Sequence, residues 1–146
     1  MLIREFVPGD SAAVTKVVER SLGENYAPAL FMTIHNLWPQ GFLVLEDEGR
    51  LVGFVASVVS TPMAARVLML AVDPDHRNRS GGSMLMDALC SHCIARGLDT
   101  VMLEVRTSNA KAKMFYERLG FSVTGGIERF YTDGEDAFKM SKQLLA

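Results

Sequence analysis

The run Val67-Leu68-Met69-Leu70-Ala71-Val72-Asp73-Pro74 constrains this 146-residue chain more than any other segment. Six consecutive apolar residues predict a buried strand, and Asp73-Pro74 stops it because proline has no N–H to give to a ladder. A polar stretch rich in arginine and glycine follows. Ser83 to Arg96 then reads as an amphipathic helix, which Gly97 closes in the C′ position. Thr100 to Arg106 is the next strand, with Val101, Leu103 and Val105 on one face and Met102, Glu104 and Arg106 on the other. Strand, helix, strand is a crossover, and few architectures accommodate it.

The flanking segments fill in the layer. Leu2 to Val7 alternates as a strand, Pro8-Gly9-Asp10-Ser11 offers a turn and N-cap, and Ala13, Val14, Val17 and Val18 repeat at helical spacing. Pro28 to Leu37 predicts a second helix ended by Trp38-Pro39-Gln40-Gly41. Phe42 to Leu45 and Leu51 to Val59 predict an antiparallel hairpin with the charged tip Glu46 to Arg50. Asn109 caps a helix carrying Ala112, Phe115, Tyr116 and Leu119, and Gly120 ends it. Phe121 to Val123 and Phe130 to Met140 are expected strands, the second bent or broken at Asp133-Gly134. The expectation is one α/β domain over residues 1–146: a mixed, mostly antiparallel central sheet with helices on both faces.

Composition removes several classes of function. With 49% hydrophobic and 22% charged residues, a chain of this length buries enough surface to fold without disulfides or a structural metal. Its 15 Lys+Arg against 17 Asp+Glu are interspersed rather than gathered in a basic stripe, so no nucleic-acid partner is expected. No apolar run approaches the roughly 20 residues of a membrane span, and Arg4 and Glu5 interrupt the start, so neither a membrane anchor nor a signal peptide is expected. Cys90-Ser91-His92-Cys93 has the spacing of a redox pair or half a zinc site. Only His35 and His76 remain as further histidines, and Leu85, Leu89 and Cys93 form an i, i+4 row. The cysteines therefore read as core filling in a reduced cytoplasmic protein with no metal.

The turn from Asp73 to Ser83 carries the first chemical signal. It leads from a strand to a helix start, where unpaired N–H groups and a partial positive charge favour an anion. Gly81 and Gly82 let a ligand approach closely, while Arg77 and Arg79 can add charge-assisted bonds. A diphosphate suits such a turn. Neither Gly-x4-Gly-Lys-Ser/Thr nor Gly-x-Gly-x-x-Gly is present, which sets aside the common nucleotide loops. Taken alone, the turn is also compatible with an ordinary strand-to-helix connection carrying solvated arginines.

Arg77-Asn78-Arg79-Ser80-Gly81-Gly82 after Val72-Asp73-Pro74 resembles the fingerprint of the GNAT superfamily of acyl-CoA-dependent N-acetyltransferases. That fingerprint is Gln or Arg, two residues, Gly, one residue, then Gly or Ala. Ser80 stands where the family keeps its first glycine. Leu103-Glu104-Val105-Arg106, Ser108-Asn109, Ala112, Tyr116-Glu117 and Gly120-Phe121 are similar to the second conserved block of N-terminal protein acetyltransferases. Glu24-Asn25-Tyr26 and Phe130 to Ala137 are similar to segments of the archaeal and eukaryotic Nα-acetyltransferases. The resemblance implies that Arg77, Asn78, Arg79, Ser80, Gly81, Gly82 and Ser83 hold the pyrophosphate of acetyl-CoA. It also implies that Leu70, Ala71 and Val72 pair with the pantetheine arm, and that Leu22, Glu24, Tyr26 and Tyr131 border the acceptor.

Acetyl transfer from a thioester to an amine needs a deprotonated amine, a stabilised oxyanion and a proton for the departing thiolate. Glu104 offers a carboxylate for the first task and Tyr116 a neutral phenol for the last. Asn109 would bond the pantetheine amides, and a strand N–H near Leu70 or Ala71 would serve the oxyanion. Each residue also has a plain structural reading: Glu104 paired with Arg106, Asn109 as an N-cap only, and Tyr116 packed with Ala112 and Leu119. An α-amine, with a pKa near 8, is about one-tenth neutral at pH 7, whereas a lysine is neutral at roughly one part in 2,500. A modest base therefore favours a protein or peptide N-terminus as acceptor, as the resemblance does; the alternatives are a lysine or small-molecule amine as acceptor, or a GNAT-like module that binds CoA without catalysis. The chain is expected to act as a monomer or weak homodimer.

Overall fold

The computed structural model describes residues 1–144. In chain order it holds β1 (Leu2–Glu5), α1 (Ser11–Ser21), α2 (Pro28–Leu37), β2 (Phe42–Asp47), β3 (Arg50–Thr61) and β4 (Ala64–Val72). Then follow α3 (Gly81–Arg96), β5 (Thr100–Arg106), α4 (Ala110–Arg118), β6 (Ser122–Ile127) and β7 (Ala137–Gln143). The seven strands form one mixed sheet in the order β1-β2-β3-β4-β5-β7-β6. Every neighbouring pair is antiparallel except β4 and β5, the two strands joined through α3.

Side-chain alternation separates two apolar layers. Leu43, Leu45 and Val55 face α3 together with Leu85, Leu89 and Cys93, while Phe42, Val44 and Phe54 face α1 and α2 with Val14, Val18 and Phe31. Phe6 stacks on Phe42 at 4.2 Å between centroids, and Phe31 meets Phe42 and Phe54 edge-on. Burying each such ring contributes about 1.5–3 kcal/mol. Both cysteines belong to the α3 layer as free thiols, and burial pushes Cys93 up to about 12, where it is inert at neutral pH. Among the described residues no helix is long and apolar enough to cross a membrane.

Several boundaries differ from the sequence expectation: β1 stops at Glu5, β3 runs on to Thr61, β4 begins at Ala64, β6 spans Ser122–Ile127, and three further differences bear on the site. The β2–β3 hairpin runs to Asp47 and Arg50, because Glu48 and Gly49 both take positive φ and close a two-residue turn. α3 starts at Gly81, two residues earlier than its apolar pattern suggests. The expected strand from Phe130 pairs only from Ala137 onward. Its first half is a loop, because both neighbours end their pairing at Ala137, and Asp133 and Glu135 on that loop both bind Arg106.

Candidate active site

The site arises from a fault in the only parallel pairing described in the sheet. β4 and β5 pair at Ala64↔Thr100, Ala65↔Val101 and Arg66↔Met102, and beyond Arg66 the ladder ends. Two residues later β4 carries a bulge. Its partners on β3 pass from Ser57↔Val67 to Ala56↔Met69, which leaves Leu68 unopposed. The extra residue reverses the alternation, so Leu70 and Val72 pack with Val67 on the α3 side while Met69 and Ala71 turn to α1 and α2. The Asp73 N–H bonds the Val52 carbonyl on β3 at 2.7 Å. By strand alternation the N–H groups of Leu70 and Val72 then point the other way, into the gap that β5 has left.

Two cavities open along this gap. The first, of about 560 Å³, lies against the start of α3. Ser80 takes φ 64° and gives α3 no side-chain cap, so the first N–H groups of the helix are left for a ligand. Gly81 and Gly82 are tightly packed: a Cβ on Gly81 would clash with Leu45 at 2.7 Å, and one on Gly82 would press on the end of the Phe115 ring at 3.2 Å. Leu70, Ala71, Val72, Arg77, Asn78, Ser80, Gly81, Gly82, Ser83 and Asn109 all border this cavity. Arg79 does not. Its guanidinium pairs with Asp47 at 3.0 Å, outside the lining of this cavity. The sequence reading missed His76, Lys111 and Phe115, which line the same cavity. Lys111 and Phe115 lie four apart on α4, a spacing that places them on one helix face with the capping residue's turn.

The second cavity, of about 820 Å³, lies on the side of α1 and the β6–β7 loop. Leu22, Glu24, Tyr26, Glu104, Tyr116 and Tyr131 all line it. Glu104 is not paired with Arg106. Arg66 holds it instead, with Nη2 2.8 Å from Oε1 and Nε 3.1 and 3.2 Å from the two oxygens. Arg106 is drawn to Asp133 at 2.8 Å and Glu135 at 2.9 Å, and its guanidinium lies 4.0 Å from the centre of the Tyr131 ring. The loop bearing Tyr131 is thereby fixed over the cavity by two ion pairs and a cation–π contact. On the opposite rim the Tyr26 hydroxyl donates to Glu24, which pushes the phenol up to about 12.

Tyr116 reaches this cavity from α4, packed edge-on against Phe115 and Phe121. Burial raises its phenol well above the ordinary range, and the proximity of Tyr131 adds to it, so the group keeps its proton through neutral and alkaline pH. Asn109 stands where the cavities meet. Its Oδ1 accepts the Ala112 N–H at 3.0 Å, so it is an N-cap, and it also lines both cavities. The arrangement provides an anion cradle, a gap with inward N–H groups, a protonated phenol and a carboxylate. No cluster of three or more metal-ligating side chains occurs among the described residues.

Comparison with known proteins identifies the family. Residues 12–121 match the acetyltransferase (GNAT) family. An uncharacterised N-acetyltransferase of Methanocaldococcus jannaschii is 30% identical over 98% of this chain and 92% of its own length. The catalytic subunit of the N-terminal acetyltransferase B complex of Arabidopsis thaliana is 31% identical over 97% of this chain and 84% of its own. The crystal structure of Ard1 from Thermoplasma volcanium superposes with a TM-score of 0.94 at 38% identity, covering 99% of this chain and 98% of that one. The chain therefore belongs to the acetyltransferase (GNAT) family and is an acetyl-CoA-dependent N-acetyltransferase.

Proposed function

We propose that the acceptor is the α-amine at the N-terminus of a protein or peptide, and that it attacks acetyl-CoA directly in a ternary complex. The observation that carries this reading is the meeting of the two cavities. Leu22, Leu70, Asn109 and Ala112 belong to the linings of both, so a donor entering from the α3 side and an acceptor entering under Tyr131 converge at the β4–β5 gap. The name of the Arabidopsis relative supports the same acceptor class.

On this reading the turn from Arg77 to Ser83 holds the pyrophosphate, with N–H groups of α3 as donors. Leu70, Ala71 and Val72 flank the pantetheine, and Asn109 bonds its amides. The amine nitrogen attacks the thioester carbonyl, and the Leu70 N–H facing the gap receives the oxyanion. The C–S bond breaks as Tyr116 gives its proton to sulfur, and Glu104 takes the proton released by the amine, directly or through water. Leu22, Glu24 and Tyr26 border the first acceptor residue, while Tyr131 covers its backbone. Neither cysteine lines either cavity, which supports transfer without an acetyl-enzyme intermediate.

Mass spectrometry of products after incubation with acetyl-CoA tests the proposal. The substrates are peptides with free α-amines and different first residues, and matched peptides with blocked α-amines and a free lysine. Acetylation confined to the free α-amine is expected. Turnover of the lysine peptides alone, or only of small amines, overturns the acceptor assignment.

A further inference from the structure

Glu104 is the carboxylate with most to do in the proposed reaction, and its partner was not expected from the sequence. Arg66 is the last residue of β4 that pairs with β5, and Glu104 lies two residues past its register partner Met102. Their ion pair therefore bridges the strands at the point where they part. The pair is bidentate, the Glu104 side chain is only 10% exposed, and three contacts of 2.8–3.2 Å fix the plane of the carboxylate. A carboxylate gripped along one edge keeps its remaining lone pairs for the cavity.

We propose that Arg66 is the positioning residue for Glu104, holding the carboxylate across the mouth of the β4–β5 gap with its free edge toward the acceptor amine. This rests on the role proposed above for Glu104. Other charged groups face the carboxylate as well. Lys139 is its register partner on β7, Arg106 follows two residues on along β5, and Tyr131 approaches from the β6–β7 loop. None of them bonds it among the described residues, so the orientation is set by Arg66. A fork that makes two or more bonds orients a carboxylate, whereas a lysine ammonium supplies charge without that constraint.

Steady-state turnover of a peptide with a free α-amine, measured on the full chain, tests the proposal with R66M, R66K and E104Q. R66M is expected to lower kcat about tenfold or more while leaving the acetyl-CoA KM within about twofold, because general-base geometry is lost and the donor cavity is not touched. R66K should restore kcat only in part, since an ammonium supplies the charge without the fork. A purely structural arginine would lower the melting temperature and leave the kcat of the folded enzyme unchanged. If E104Q loses turnover while folded R66M keeps full kcat, this proposal alone falls. If E104Q keeps full turnover, the base assignment falls and takes this proposal with it. Should R66M fail to fold, R66K decides, since an unchanged kcat would show that the fork is not needed.

Discussion

The two ends of the site are made by different means. The proposed donor end is built mainly on the end of β4, a turn and the first residues of α3, with Asn109, Lys111 and Phe115 closing it from α4, and its main contribution is backbone: inward N–H groups, an uncapped helix start and two tightly packed glycines. The proposed acceptor end draws on segments more than a hundred residues apart, from Leu22 to Tyr131, and its contribution is side chains. Ion pairs hold it together, Arg66 with Glu104 and Arg106 with Asp133 and Glu135. Backbone recognition suits a donor that is the same in every turnover. Side-chain recognition leaves the acceptor surface free to change without disturbing the cradle.

Substitutions at each end should separate the two. The largest effect is expected where they meet: Tyr116→Phe should lower kcat about 100-fold, near 2.7 kcal/mol, as for loss of a general acid. The acetyl-CoA dissociation constant, read by calorimetry, should change less than about twofold, and a parallel loss of binding would place Tyr116 in the cradle instead. Because burial raises this phenol, the native enzyme should show no loss of kcat assignable to it below pH 10. Gly82→Val crowds Phe115 at the helix start; at about 2 kcal/mol for overpacking it should weaken acetyl-CoA binding about 30-fold. Its peptide KM at saturating donor should not move.

Tyr131→Ala is the converse case. Loss of an aromatic cover at about 1 kcal/mol should raise the peptide KM about fivefold and leave donor binding alone. An equal effect on both substrates would show the two ends to be one unit. The smallest and sharpest contrast is between two neighbouring arginines. Arg77→Ala should weaken acetyl-CoA binding about threefold, as an exposed charged contact does, whereas Arg79→Ala should leave it unchanged because that guanidinium serves Asp47.

What the residues alone disclose follows the same division. Local pattern places α2 and β5 at their observed limits, and the strand–turn–helix unit announces an anion site before any partner is considered. The bulge at Leu68 is invisible to pattern, since an unbroken apolar run has no alternation to interrupt. Long-range choices of partner are hidden for a related reason. Arg106 is Glu104's nearest cation in sequence, yet it is taken by Asp133 and Glu135, and Arg66, 38 residues away, becomes the neighbour only once the crossover is built. Those same two acidic residues lie on the Phe130 to Asp136 loop, which has no paired neighbour before Ala137 despite the strand propensity of its aromatic start. Arg79 looks like Arg77 in the sequence. Only the hairpin returning through Asp47 distinguishes them.

The three-rung seam between β4 and β5 also bears on how the molecule responds to heat. Four strands lie to one side of it and three to the other, so a molecule lodged in the gap acts as extra rungs joining the two blocks. Occupancy by acetyl-CoA at a hundredfold excess over its dissociation constant should add about 2.7 kcal/mol to unfolding. Slowed hydrogen exchange should then be centred on Leu70 and Val72, so that the donor completes the architecture that grips it.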